Sequence, residues 1–214
     1  MEENSGQSKN RIETQNNNSI NQNNNIITLP NSNTINEKVE KRIIQKISIL
    51  LTDICDENAK QSKKEKYKYE ISSNIKPFIS KNIPQISIKD YLERLCRYSK
   101  INFSTVILIL VYIDRLCNMH KFKLSYFNIH KLILGAMIIA IKYNEDEIFT
   151  TKFYSKLGGV SKTEICFLEY NFISLIDFKL YVSEDLFKKY NDYISSSDSD
   201  EDEEDEDIYC DDKE

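Results

Sequence analysis

Histidine and cysteine, the side chains that most often build metal sites and nucleophilic sites, are sparse and widely separated. The two histidines, His120 and His130, are ten residues apart, and no pair of cysteines lies beside either of them. The five cysteines are also far apart along the chain: Cys55, Cys96, Cys117, Cys166 and Cys210. Zinc ligands usually come in closely spaced pairs, and a disulfide framework uses an even number of cysteines. We therefore expect free thiols in a reducing compartment, no metal and no cofactor.

The glycines and carboxylates also do not form a recognisable phosphate-binding or catalytic site. Gly158 and Gly159 follow a predicted helix, where glycine ends the helix in the left-handed conformation, whereas a phosphate-binding loop precedes a helix. Most carboxylates crowd into the C-terminal tail, where disorder cannot hold an acid–base pair in place. The sequence therefore predicts no enzyme and no small-molecule substrate.

Two charged residues adjoin apolar helical stripes. Lys142 closes the apolar run that begins at residue 131, so its stem can lie on apolar surface while its ammonium reaches water. Glu169 comes four residues after Ile165 and three before Phe172, which puts its carboxylate on or beside an apolar stripe. A charge in that position needs a partner. Each is therefore a candidate for a charged contact.

Composition divides the chain into one domain and two unlike ends. The 214 residues are 40 % hydrophobic, which suits a single core. Residues 1–36 are one third Asn and lack apolar periodicity. Residues 198–214 carry a net charge of −11, which leaves +6 on residues 1–197. We therefore assign a disordered Asn-rich segment to residues 1–36, a folded domain to 37–194 and a disordered acidic tail to 195–214.

Helical periodicity runs through the central region. Apolar residues recur at spacings of three and four between residues 37 and 58, and a lysine-rich stretch follows at 60–68, either as a solvated linker or as a contact patch. The runs 106–116 and 131–142 are apolar on nearly all faces, which predicts two central helices. A short helix at 152–157 and a longer one from 161 to about 177 follow. Four residues mark helix starts: Ser87, Ser104, Asn128 and Ser161. The sequence predicts an all-α fold.

The cellular location follows from what the sequence lacks. The apolar runs 106–113 and 132–141 fall short of the roughly 20 residues that a membrane span needs. The N-terminus lacks the basic-then-apolar pattern of a secretory signal. We therefore expect an intracellular protein, in the cytoplasm or the nucleus, with no membrane partner.

Five motifs in the right order and at the right spacing resemble a cyclin box, and more narrowly the P/U-type cyclins. They are ISIKDYLERL (86–95), YIDRL (112–116), AIKY (140–143), FYSKLGGV (153–160) and LEYNF (168–172). The resemblance covers residues 40–193, since residues 50–58 also resemble the helix that precedes the box. It implies a single five-helix box at about 86–180 with an additional N-terminal helix.

The resemblance implies a non-catalytic regulatory subunit. Cyclins activate a cyclin-dependent protein kinase by packing against its αC helix. The family's kinase-contacting Lys and Glu match Lys142 and Glu169, and in the family the two lie together and touch the kinase backbone. The alternative is an internal Lys142–Glu169 salt bridge with no further role.

The resemblance also suggests residues for the rest of the interface. Tyr143, Ile148, Phe149 and Phe172 are candidates for its apolar centre, although each could equally belong to the core. A second set receives a structural role: Asp114, Tyr91, Arg94, Gly158 and Gly159.

The sequence departs from the family pattern at three points. Asp114 matches a family Asp that pairs with an Arg, but the aligned region offers only Gln85 and Lys89. A second box cannot fit in the roughly fifteen residues between Leu180 and the acidic tail, and the mitotic docking patch with its Trp is absent, since the chain contains no Trp.

A second function fits the same fold. A cyclin-fold scaffold or transcription-related adaptor would bind protein or nucleic acid without activating a kinase. The charge of +6 permits nucleic acid, but no Arg-rich helix and no alternation of aromatic and basic residues supports it. The sequence therefore favours the kinase regulator.

Overall fold

The computed structural model describes residues 32–64 and 75–196, and the side chains of 39–61 and 75–196. Every regular element in these ranges is helical, and they contain no strand. The helices are α1 (Ser32–Lys64), α2 (Ile88–Ser99), α3 (Phe103–His120), α4 (Ile129–Asn144), α5 (Thr151–Gly158), α6 (Lys162–Leu175) and α7 (Glu184–Ser195), with a 3-10 turn at Lys76–Phe78. The predicted all-α fold is confirmed.

The apolar helices α3 and α4 form the centre of the domain. Burial is continuous from Thr105 to Ile113 in α3, and Lys131 is the one interruption from Ile129 to Ile141 in α4. Around this pair, α1 packs on α2, α6 packs on α4, and α7 packs on α3 and α1. By length and composition alone α3 could cross a membrane, but 56 % of it is buried inside this domain. The two runs that are apolar on most faces are therefore core helices, as predicted.

Local signals set several helix ends where the sequence predicts them. The hydroxyl of Ser87 accepts a 3.0 Å hydrogen bond from the backbone N–H of Asp90, and that of Ser161 accepts one of 3.0 Å from Glu164. Gly159 follows α5 with φ of 71°, the left-handed conformation expected of a helix-ending glycine. These caps fix the register of α2, α5 and α6.

Two other helix starts differ in detail from the prediction. The start at Ser104 is wrong, because α3 begins at Phe103 with Asn102 as its cap residue. Asn128 does precede α4, but its side chain accepts from the backbone N–H of Ser125 at 2.9 Å and donates to the carbonyl of Lys123 at 3.1 Å. It therefore holds the preceding turn instead of bonding to the first turn of α4.

The domain extends beyond the predicted helices at both ends. Helix α1 begins at Ser32, five residues before the predicted boundary, and its last turns include Lys60, Lys63 and Lys64. Residues 1–31 and 197–214, together with Lys66 and Lys68, lie outside the described residues, so the disorder expected at both ends stays a prediction. Helix α7 was not predicted at all, although it packs the partly buried side chains of Leu186, Phe187 and Tyr190 on the core.

Helix α7 supplies the partner of Asp114. The Asp114 carboxylate in α3 accepts a 2.7 Å hydrogen bond from the hydroxyl of Tyr190 and a 2.8 Å bond from the Asn118 amide. Neither Gln85 nor Lys89 takes the place of the family's Arg, and Lys89 instead lies 4.0 Å from Glu93. The Asp114 carboxylate therefore joins α3 to α7 by a hydrogen bond.

Candidate interaction surface

Lys142 and Glu169 meet on the surface of the domain. The Nζ of Lys142 lies 2.5 Å from Oε1 of Glu169, which joins the end of α4 to the middle of α6. The two side chains are 44 % and 25 % exposed. The pair therefore has the short contact of an ion pair and the accessibility of a binding site.

Helix packing accounts for the placement of both residues. Ile141 is 1 % exposed and Lys142 is the first exposed residue of α4, so its ammonium lies at the surface and not in the α3–α4 centre. On α6, Leu168 and Phe172 are both completely buried and Glu169 lies beside that buried stripe. The same packing of α6 on α4 that buries the stripe brings the carboxylate to the lysine.

Three of the four predicted apolar contact residues lie exposed after Lys142. Tyr143 is 50 %, Ile148 is 54 % and Phe149 is 42 % exposed. The Phe149 ring leans on Phe153 with centroids 4.3 Å apart, and its backbone N–H donates a 3.1 Å hydrogen bond to the hydroxyl of Tyr154. The loop that carries Phe149 is therefore anchored on α5 while the ring stays accessible.

Phe172 is not available for binding, and the structure corrects this member of the predicted set. Its side chain is completely buried. Its ring packs edge-on against Phe78 with centroids 5.9 Å apart, and it lies so close to Gly135 that a Cβ added there would come within 3.1 Å of it. Phe172 therefore belongs to the core, the alternative that the sequence left open.

The segment after α6 adds exposed aromatic residues that the sequence did not reveal. Asp177 and Phe178 adopt φ values of 54° and 52°, a conformation that costs a non-glycine residue roughly 1–2 kcal/mol. Phe178 is 65 % exposed, Tyr181 is 75 % exposed, and Tyr170 on the outer face of α6 is 68 % exposed. Periodicity could not identify them, because aromatic side chains in a short irregular segment look the same whether they are buried or exposed.

Two side chains of α3 hold the segment after α6 through hydrogen bonds to three consecutive carbonyl groups. Arg115 donates to the carbonyls of Lys179 and Tyr181, and the Tyr112 hydroxyl donates to that of Leu180 at 3.0 Å. Burial, followed by the nearby Tyr143, raises the pKa of Tyr112 to about 12, and the Arg115 guanidinium opposes this shift. Two side chains one turn apart in α3 thus hold the backbone of residues 179–181.

The remaining structural candidates meet at the junction of α2 and α5. The Tyr91 hydroxyl donates to the carbonyl of Gly158 at 3.1 Å, and Arg94 donates to that of Leu157. Arg94 also lies over the Tyr91 ring, 5.5 Å from its centroid, and a Cβ on Gly159 would approach the Arg94 guanidinium at 3.7 Å. Two side chains of α2 thus bind carbonyls that the last turn of α5 cannot satisfy by itself.

A second Lys–Glu ion pair, Lys131–Glu164 at 2.8 Å, lies elsewhere on the described surface, where it lines a groove together with Phe167. Among residues 39–61 and 75–196 no three His, Cys, Asp or Glu side chains are arranged to hold a metal ion. An open groove of about 570 Å³ lies between the 3-10 turn and the start of α6, lined in part by Pro77, Ile79 and Phe167. The groove includes neither Lys142 nor Glu169.

Comparison with known proteins gives a consistent set of relatives. The family model for cyclins matches residues 40–180. The chain is 38 % identical to Cyclin-U2-1 of Arabidopsis thaliana over 114 residues, which cover 53 % of the chain and 51 % of that relative. It is 32 % identical to PHO85 cyclin-7 of Saccharomyces cerevisiae over 165 residues, which cover 69 % of the chain and 58 % of the relative. Cyclin-U1-1 of Arabidopsis thaliana is 31 % identical over 155 residues, 72 % of each chain. The chain thus spans little more than half the length of the first two of these relatives.

Proposed function

The chain belongs to the cyclin family, in its P/U type, and on that premise we propose that it is the regulatory subunit of a cyclin-dependent protein kinase. It binds the kinase through the surface around Lys142 and Glu169 and activates it by packing on the αC helix. The chain supplies no catalytic residue.

The half-exposed Lys142–Glu169 pair is the observation that carries the proposal. An exposed ion pair contributes only about 0–1 kcal/mol to stability, which is a weak reason to keep two charges among apolar side chains. An ammonium group has three donors and a carboxylate accepts several hydrogen bonds, so the pair retains capacity beyond its mutual contact. Backbone groups of a partner can use that capacity while the pair keeps both charges compensated.

The apolar residues around the pair supply the binding energy. Aromatic side chains dominate most protein interfaces because they bury a large area at low cost in conformational entropy. Tyr143 follows Lys142 in α4 and Phe149 lies in the next loop, and Phe178 and Tyr181 belong to the segment that Tyr112 and Arg115 hold. The charges then set the orientation of a partner helix that the apolar residues bind.

Activation of the kinase follows from what such binding does to a mobile helix. A protein kinase is active when the Glu of its αC helix pairs with the Lys of its third strand. A rigid surface that binds αC in that position shifts the equilibrium toward the active arrangement. The α3–α4 core gives this surface its rigidity.

The test is co-purification with a kinase. The tagged protein is recovered from its own cells, and the kinase in the pellet is identified and assayed, for the wild type and for Lys142→Ala and Glu169→Ala. We expect the wild type to retain a cyclin-dependent kinase with activity and both variants to lose most of it. Lys81→Ala is the matched control, because Lys81 is exposed and has no ion-pair partner among the described contacts.

Two results would count against the proposal. If both variants still capture the kinase, the kinase-binding interface lies elsewhere on the domain. A folded wild-type domain that recovers neither kinase nor activity would instead make the chain a cyclin-fold scaffold.

A further inference from the structure

Glu145, the first residue after α4, binds the beginning of α3. Its Oε1 accepts hydrogen bonds from the backbone N–H of Asn102 at 2.8 Å and from the Thr105 hydroxyl at 2.5 Å. Its Oε2 accepts from the Asn102 side-chain amide at 2.8 Å. Asn102 itself makes no capping hydrogen bond to α3. A carboxylate from another helix therefore takes the position at the N-terminus of α3 where negative charge is stabilised.

The neighbouring Asn144 strengthens the same connection. Its amide donates to the hydroxyl of Thr105 at 2.7 Å and to that of Ser104 at 3.2 Å. Thr105 is completely buried, so its hydroxyl depends on these two partners, donating to Glu145 and accepting from Asn144. The C-terminal end of α4 is thereby fixed to the first turn of α3 through its last residue, Asn144, and the residue that follows it, Glu145.

This connection lies in the middle of the surface assigned to kinase binding. Lys142 and Tyr143 come immediately before it in α4, and the loop that carries Ile148 and Phe149 comes immediately after it. The far end of that loop is held by the hydrogen bond from the Phe149 N–H to Tyr154. Release of Glu145 would free the near end of the loop and the last turn of α4 together.

We propose that Glu145 is a positioning residue for the kinase-binding surface, acting through its hydrogen bonds to Asn102 and Thr105 and not through contact with the kinase. The inference rests on the proposed function and deepens it, because it names what holds Lys142, Tyr143, Ile148 and Phe149 in one geometry. Preorganisation of this kind improves affinity, since a loop that is already ordered does not lose that freedom on binding.

The test exploits the burial of Thr105. The kinase recovered with the wild-type chain is purified, and its dissociation constant is measured for the wild type, Glu145→Ala, Thr105→Val and the double variant. We expect Glu145→Ala to weaken binding about tenfold, as loss of hydrogen bonds to a charged group does. Thr105→Val should weaken it roughly three- to tenfold although Thr105 cannot touch a partner. The double variant should bind no more weakly than Glu145→Ala.

Two further variants separate positioning from charge. Glu57→Ala removes the same charge from an exposed position on α1, outside the surface assigned to kinase binding, and it should leave the dissociation constant within about twofold. Glu145→Gln keeps one oxygen acceptor and should recover part of the loss. Thermal unfolding of each variant checks that it is folded at the temperature of the assay.

The outcomes distinguish this inference from the proposed function. If Glu145→Ala weakens binding but Thr105→Val does not, Glu145 touches the kinase directly and the inference is overturned. If Lys142→Ala weakens binding while Glu145→Ala and Thr105→Val do not, the proposed function stands and the inference alone fails. If Lys142→Ala and Glu169→Ala leave binding intact, the proposed function fails and the inference fails with it.

Discussion

The hydroxyl of Tyr190 in α7 donates a 2.7 Å hydrogen bond to the carboxylate of Asp114 in α3. This bond joins the C-terminal helix to the centre of a box that is complete at α6, so α7 serves as a cover for α3 and α1. Burial, followed by the bond to Asp114, raises the pKa of Tyr190, which keeps the hydroxyl protonated as a donor. The matching family Asp is expected to pair with an Arg, and a tyrosine in a later helix takes that role in this chain.

Replacement of Tyr190 by Phe tests the docking of α7. We expect the free energy of unfolding to fall by about 1 kcal/mol, because one hydrogen bond is lost while Asp114 keeps its bond to Asn118. Urea denaturation measures the change. Tyr193→Phe, at a side chain that is 61 % exposed, is the control and should change little. Equal effects of the two substitutions would show that the Asp114–Tyr190 bond does not hold α7.

Buried thiols predict a loss of stability at alkaline pH. Burial raises the pKa of Cys55 and of Cys96 to about 12, from an ordinary thiol value of 9.0. Above pH 9 the unfolded chain releases these protons while the folded chain keeps them, so rising pH favours unfolding up to the folded pKa. At pH 10 each thiol should cost roughly 1 kcal/mol relative to pH 8.

Urea denaturation at pH 8 and pH 10 under reducing conditions measures this loss. Cys96→Ala should lose about 1 kcal/mol less than the wild type between the two pH values, whatever its stability at pH 8. Tyr112 and the partly buried Tyr126 contribute equally to both proteins; desolvation raises the pKa of each to about 12, and at Tyr126 the hydrogen bond to Asp56 adds to the effect. The same loss in both proteins would mean that Cys96 ionises freely in the fold.

Replacement of the two glycines at the end of α5, Gly158 and Gly159, should destabilise the domain for different reasons. A Cβ on Gly158 would clash with the side chain of Leu134, which is completely buried. Gly158→Ala should therefore cost about 1–3 kcal/mol through overpacking. Gly159→Ala meets no close atom but must hold a φ of 71°, which costs roughly 1 kcal/mol.

A compensating substitution separates the two causes. Leu134→Val, which shortens the obstructing side chain, should reduce the penalty of Gly158→Ala and leave that of Gly159→Ala unchanged. Thermal or urea unfolding of five variants, the three single substitutions and the two combinations with Leu134→Val, provides the free energies. The assignment is supported if Leu134→Val reduces the penalty of Gly158→Ala but does not change that of Gly159→Ala. The reverse pattern would contradict it.

Features encoded within a few residues could be predicted from the sequence. Ser87 and Ser161 bond to backbone groups three residues ahead, and Gly159 ends α5, so local chemistry alone defines these ends. The two central helices were also predictable, because only a surrounded helix tolerates apolar residues on every face. These local signals were sufficient to predict the all-α fold.

Features that depend on distant residues could not be predicted. Glu145 caps a helix that begins more than forty residues earlier, and Tyr190 bonds to Asp114 across 76 residues. Helix α6 is apolar on most sides, so its periodicity cannot say that Phe172 faces the core while Tyr170 faces solvent. Tertiary packing decides which of these aromatic side chains is buried, and the sequence pattern around Glu169 does not.

Phe149 and Phe172 should therefore separate binding from stability. Phe149→Ala removes a ring that is 42 % exposed, and it should lower the free energy of unfolding by less than about 1 kcal/mol while weakening kinase binding at least tenfold, as hot-spot aromatics do. Phe172→Ala leaves a cavity between Phe78 and Gly135 and should cost about 3–5 kcal/mol of stability. Urea denaturation and a binding titration of each variant test both statements. A Phe149→Ala protein that is strongly destabilised yet binds normally would assign Phe149 to the core and remove it from the interface.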